Sequence, residues 1–114
     1  MNRVMGTLAI MLSITGCTTT PGLMRANAPH VLEVSNKDVK TISICIADKW
    51  EKYGVVNQRE TRRGISLTTS IGGKLLYLAD IELVKDVTIT KAYKYLQYSP
   101  DANPLLVAVS DCQA

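Results

Sequence analysis

The sequence reads as an α+β domain in which one amphipathic helix packs across a four-stranded antiparallel meander sheet, with a short C-terminal element added. Three observations lead there. Apolar residues recur at spacings of three and four over residues 37–53, the period changes to two from residue 55 onward, and the connections between the alternating segments are too short for parallel crossovers. With 114 residues the chain has room for one domain, and its apolar fraction of 46% is that of an ordinary globular protein rather than a disordered one.

Taken in order, residues 17–30 hold two prolines, a glycine and no period of either kind, which reads as a flexible tether, so the domain is assigned to residues 31–114. Val31-Leu32-Glu33-Val34 is a short extended run, and Ser35 or Asn36 after it can cap a helix. In that helix Val39, Ile42, Ile46, Trp50 and Tyr53 line one face, while Lys40, Asp48, Lys49, Glu51 and Lys52 fall mostly elsewhere on the wheel. Gly54 stands where a C′ glycine ends a helix. The chain has no phenylalanine, so Trp50 is most simply the centre of the core, with an exposed aromatic binding residue as the lesser alternative.

Four strands follow. The first spans 55–61 and closes at Arg62-Arg63-Gly64. The second alternates Ile65, Leu67, Thr69 and Ile71 with polar residues and ends at the turn Gly72-Gly73. The third sets Leu75, Tyr77, Ala79, Ile81 and Leu83 against Leu76, Leu78, Asp80 and Glu82. Beyond a turn at Lys85-Asp86, the fourth places Val87, Ile89, Lys91, Tyr93 and Tyr95 on a common face. Prolines 100 and 104 interrupt the pattern, and the apolar run 105–109 fits either an edge strand or a last helix. Asn103 as cap and Pro104 at the first position favour the helix.

The N-terminus carries a different message. Arg3 precedes a charge-free apolar run over residues 4–14, followed by Thr15-Gly16-Cys17, the three-part layout of a secretory signal peptide. A run of eleven residues falls well short of the roughly 20 that span a bilayer, so it reads as an export signal and not as a permanent span. Ile14-Thr15-Gly16-Cys17 resembles the lipobox of bacterial lipoproteins. That resemblance implies removal of residues 1–16 and a diacylglycerol on the Cys17 sulfur. It also implies acylation of the new amino terminus, giving membrane lipid as the first partner. Because one chain anchors only marginally, with about 0.8 kcal/mol per buried methylene, two or three chains together would hold the protein. Thr18, rather than aspartate, follows the cysteine, which by the same resemblance implies the periplasmic face of the outer membrane over the inner membrane.

If lipid consumes Cys17, two cysteines remain, and the oxidising compartment implied by export leads Cys45 and Cys112 to be expected as a disulfide, the alternative being two buried thiols. The run Cys45-Ile46-Ala47-Asp48-Lys49-Trp50-Glu51 is also similar to a helix of small uncharacterised proteobacterial exported lipoproteins that likewise end with a cysteine. This second resemblance supports the fold and the disulfide, and implies no activity.

Chemistry is sparse. His30 is the only imidazole, and the tether offers nothing to orient it as a base. Asp80 and Glu82 share a strand face and read as solvated rather than as an acid and base. With Asp86 they lack the oxygen-rich loop that calcium needs. No Cys-x-x-Cys or phosphate-binding pattern occurs, so no metal or cofactor is expected. Of the 13 basic residues against 10 acidic, Arg3 lies in the segment read as removed, and the small excess left does not argue for nucleic acid. Arg59, Arg62 and Arg63 form a basic cluster at a hairpin, and Tyr93 and Tyr95 could present hydroxyls at a rim. These five are the candidate partner contacts. The expectation is a lipid-anchored, non-enzymatic binding or structural module of the cell envelope. The alternatives are an inhibitor or phage-exclusion lipoprotein and an envelope-modifying enzyme.

Overall fold

Burial of the stripe along the first long helix dictates the arrangement of everything around it. The computed structural model describes residues 20–71, 74–95 and 103–114. In chain order the elements are α1 (Pro21–Arg25), β1 (Val31–Ser35), α2 (Val39–Trp50), β2 (Val55–Glu60), β3 (Gly64–Ile71), β4 (Lys74–Val84), β5 (Val87–Lys94) and α3 (Pro104–Asp111). The fold is α+β, with an antiparallel sheet of five strands rather than four, in the order β1-β5-β4-β3-β2. The expected meander is β2 through β5. The added strand is the short extended run, whose Val31 to Ser35 pair with Ala92 to Thr88 of β5. The expected Gly72-Gly73 turn lies outside the described residues.

One sheet face carries α2 and α3. Ile42, Ile46 and Trp50 of α2 are wholly buried against Leu67, Tyr77, Ala79, Ile81 and Ala92 of the sheet, with Leu105, Ala108 and Val109 of α3 closing the same core. The helix is shorter than its apolar period suggested. Ser35 does not cap it: its hydroxyl donates to the Gln113 carbonyl at 2.8 Å and accepts from the Lys37 N–H at 3.1 Å, before the helix begins. Asp38 caps it instead, accepting from the Thr41 N–H at 2.8 Å. Hydrogen bonding to Thr41, first through its side chain and then through this N–H, lowers the Asp38 carboxyl pKa from its ordinary value. At the other end α2 stops at Trp50, so Tyr53 leaves the stripe and points to solvent. Gly54 therefore is not the residue that follows the last helical turn. A Cβ there would stand 2.6 Å from the Ser70 carbonyl oxygen, so the close approach of β3 requires glycine.

Strand β4 contains a bulge. Thr69 pairs with Tyr77 and Ser70 with Leu75, which leaves Leu76 as an extra residue. Leu76 and Tyr77 consequently both enter the helix-side core, while Leu75 turns to the opposite face and packs against Leu78 and Tyr93. Strict alternation would have put Leu75 beside Tyr77, and the bulge breaks it. At the β4–β5 turn Lys85 adopts φ 58°, a left-handed backbone usually given to glycine or asparagine.

The C-terminal element is a helix, as Asn103 and Pro104 suggested. The Asn103 side chain accepts from the Leu106 N–H, and Pro104 occupies the first turn. Two links bind this helix to α2. Cys45 and Cys112 form a disulfide with their Cα atoms 5.8 Å apart and a sequence separation of 67. Closing a loop of that length stabilises the fold by about 4 kcal/mol through the entropy of the unfolded chain. The Trp50 indole N–H donates to the Leu105 carbonyl at 2.9 Å, in a fully buried position, and its ring lies 6.1 Å from that of Tyr77.

Trp50→Phe removes the indole donor and some core volume while keeping an aromatic ring. It is expected to destabilise the domain by about 2–3 kcal/mol, because the Leu105 carbonyl loses a buried partner. The shift in urea midpoint at unchanged slope measures this. An unchanged midpoint would mean that the carbonyl finds another donor.

Candidate functional site

The second face of the sheet is built by a segment that its composition marks as a tether. Thr20 accepts from the Leu23 N–H at 3.3 Å and Pro21 starts the first turn, the arrangement in which proline favours a helix start. The resulting α1 drops Met24 into a small cluster with Leu78, Tyr93 and the half-buried Leu75. Residues 20–30 are thus part of the domain and not a linker, because this turn of helix has an apolar site to fill. His30 continues the same trend, since its backbone N–H donates to the Ala92 carbonyl at 2.8 Å and prolongs the β1–β5 pairing.

Arg25 fixes α1 to the sheet. Its guanidinium donates from Nε and Nη2 to the two carboxylate oxygens of Asp80 at 2.7 and 2.8 Å, and Nη2 also donates to the Ser66 hydroxyl at 3.1 Å. This bidentate geometry is the strong form of the Arg–carboxylate contact. The pair raises the Arg25 pKa, chiefly through the hydrogen bond to Asp80. Asp80 is therefore engaged by an arginine rather than solvated, as its pairing with Glu82 in sequence suggested. Burial beneath α1, with the Asp80 charge next in importance, raises the Tyr93 hydroxyl pKa.

The other candidate residues separate. Arg59 is exposed on the α1 face of β2, opposite Ser66, and Arg62 and Arg63 are exposed in the β2–β3 turn. Tyr93 is buried under α1. Tyr95 goes to the other side, half-buried against the helix-side core, with the Lys74 ammonium 5.8 Å from its ring. The two tyrosines do not share a face, because the Tyr95 N–H bonds to the carbonyl of Leu76 at the bulge. Cys17 lies outside the described residues. Among those described, no group of three or more His, Cys, Asp and Glu is placed to hold a metal ion, and no helix is long and apolar enough to cross a membrane.

Two hollows flank the β2–β3 hairpin, one on each side of the sheet. The larger, about 490 Å³, runs between α2 and the hairpin, lined by Val39, Ile44, Gln58, Glu60, Thr61 and Ile65 among others. Ile44 is 50% exposed there, out of phase with the buried stripe. Among the described residues β2 pairs only with β3, so it is an edge strand, and its Gln58 and Glu60 line this groove. The smaller hollow, about 240 Å³, lies on the α1 side between Pro21, Arg25, Asn57, Arg59, Ser66 and Thr68. Sequence reasoning found the arginines from their clustering, but nothing local signalled either the groove or the Arg25–Asp80 pair.

A double-mutant cycle on Arg25→Ala and Asp80→Ala is expected to give a coupling of about 1–2 kcal/mol, in line with a partly buried bidentate pair. Either single change should speed amide exchange at Met24 and Arg25 while leaving α2 protected. His30 supplies a pH handle. Burial first, and then the Lys94 charge, lower its pKa below the ordinary 6.5. The folded state thus favours the neutral ring, and the associated stability is present above pH 6.5 and lost as the pH falls through the lowered value. An NMR titration of the His30 ring should give a midpoint under 6.5 that moves upward in Lys94→Gln.

Comparison of the chain with protein-family models, with curated proteins and with solved structures finds no match.

Proposed function

We propose that the protein is a lipid-anchored cell-envelope protein whose domain is a non-enzymatic binding module, with the groove between α2 and β2 as its contact surface. The anchor is read from Ile14-Thr15-Gly16-Cys17 behind the charge-free run 4–14, and Thr18 in place of an aspartate after the cysteine favours the outer membrane, facing the periplasm, as the working site. The observation that carries the binding reading is the combination at β2 of a strand edge unpaired among the described residues, an adjoining groove of about 490 Å³ and an exposed isoleucine within it. An extended segment of a partner protein can add its backbone to such an edge and seat an apolar side chain beside Ile44. Arg62 and Arg63, at the turn between groove-lining Thr61 and Gly64, favour acidic residues on that partner.

The oxidised Cys45–Cys112 pair supports an oxidising compartment, in keeping with export. The groove is bordered by a packed helix and a hydrogen-bonded hairpin, so its walls are rigid and a partner meets a preformed surface.

Cys17→Ser is expected to move the protein from the membrane to the soluble envelope fraction, and retention in the membrane pellet would refute the anchor. Ile44→Asp should abolish recovery of the partner by cross-linking in intact cells while the fold, followed by its melting profile, is kept. Unchanged recovery with Ile44→Asp would place the contact elsewhere.

A further inference from the structure

We infer that the domain lies against the membrane through the sheet face that carries α1, so that the groove beside α2 faces away from the bilayer. This inference rests on the lipid-anchored reading and adds to it the orientation of the domain, with the lipid surface itself as the second ligand. Chain length provides the first reason. From Cys17 to Thr20 there are three peptide links, which reach at most about 11 Å. Pro21 begins α1, and α1 is fixed to the sheet by Met24 and by the Arg25–Asp80 pair. An acyl chain on Cys17 therefore holds the α1 face at the headgroups, without the long spacer that residues 17–30 would otherwise provide.

Exposed side chains give the second reason. Among the described residues the four most exposed large apolar side chains are Leu23 at 60%, Leu32 at 61%, Val34 at 62% and Val55 at 68%. Leu23 belongs to α1. By register, Leu32 and Val34 pair with Lys91 and Ile89, and Val55 pairs with Ser70, so all three strand residues share the face on which α1 sits. Apolar side chains that far exposed on one face are the mark of an interaction surface.

Charge gives the third. Arg59 lines the same hollow as Pro21, beside the point where the chain leads back to Cys17, and Lys91 is exposed on the same face. Asp80 on this face is already neutralised by Arg25, leaving Glu82 as the opposing carboxylate among the described strand residues there. An apolar face rimmed by such cations fits the boundary of an anionic leaflet. The acyl anchor converts even weak contact into steady contact, because it keeps the local concentration of lipid high.

The test uses the lipidated full-length protein reconstituted into phosphatidylethanolamine–phosphatidylglycerol vesicles that contain brominated lipids. A fluorophore is placed on Leu23→Cys, on Val55→Cys or, as the opposite-face control, on Val107→Cys of α3. Flotation with the vesicles scores anchoring separately from orientation. Labels at 23 and 55 are expected to be quenched several-fold more than the label at 107, and Arg59→Glu with Lys91→Glu should reduce that difference several-fold without reducing flotation. Floated protein with equal quenching at all three sites, or with shielding at 23 that appears only at high protein density and so reports a second copy, overturns the orientation alone. Protein that fails to float overturns the anchor and this inference with it.

Discussion

Everything on the helix side of the sheet depends on where Trp50 is held. Without phenylalanine, the chain has few side chains large enough to span the gap between two helices and a sheet, and the wholly buried Trp50 and Tyr77 occupy that gap. The indole gives volume to the core and a donor to the Leu105 carbonyl, so the last turn of α2 and the first turns of α3 are fixed by one side chain. The Cys45–Cys112 bond ties the middle of α2 to the C-terminal end of α3. With α3 held twice, its C-terminus reaches β1. There the Ser35 hydroxyl bonds to the Gln113 carbonyl and the Ser110 hydroxyl to Glu33, so the strand at that edge is stitched to the helix layer. Among the described residues the edge at β2 has no such cover, and the groove lies there.

The bulge at Leu76 is the second constraint, and it works through parity. A single extra residue on β4 turns two neighbours, Leu76 and Tyr77, into one core and hands Leu75 to the other. The opposite face thereby gains an apolar cluster of Leu75, Leu78 and Tyr93 that water would otherwise meet, and Met24 covers it. A two-layer domain thus acquires the start of a third layer. The same shift takes Tyr95 away from Tyr93, so an aromatic rim that alternation alone would build does not form.

How much of this the sequence discloses follows from how local each cause is. The stripe Ile42, Ile46, Trp50 and the alternation from Ile65 through Lys94 are local periods, and the helix and the meander could be read from them. Asn103-Pro104 marks the last helix by the same kind of local rule. Thr20-Pro21 carries that same cap-and-proline signal for α1, but it is masked by surrounding small and polar residues that suggest a tether. The ends of α2 are less legible, because Ser35 and Tyr53 satisfy local rules for a cap and a stripe position, whereas in the folded chain Asp38 caps the helix and Trp50 ends it. Register slips, the Arg25–Asp80 pair across 55 residues and the α2–β2 groove are properties of the assembled chain, with no local trace. Of the candidate contacts, the arginines were legible as exposed charge. The tyrosines were not, since a strand pattern cannot reveal which face a later helix will cover.

Stability is therefore unevenly distributed, and the two faces differ in kind. On the helix side, a disulfide, a buried indole hydrogen bond and a continuous core make local opening costly. On the other side, α1 is five residues long, too short to persist alone, and it stays down through one methionine and one arginine. Lifting it would uncover Leu78 and Tyr93 and would leave Asp80 beside Glu82 without its cation, so the ion pair closes the layer more through what its loss exposes than through its own strength. A short helix held this way is the weakest part of the domain. It is also the part that the chain must pass through to reach Cys17, so any pull from the N-terminus acts first on the Arg25–Asp80 contact and only afterwards on the disulfide-bound core.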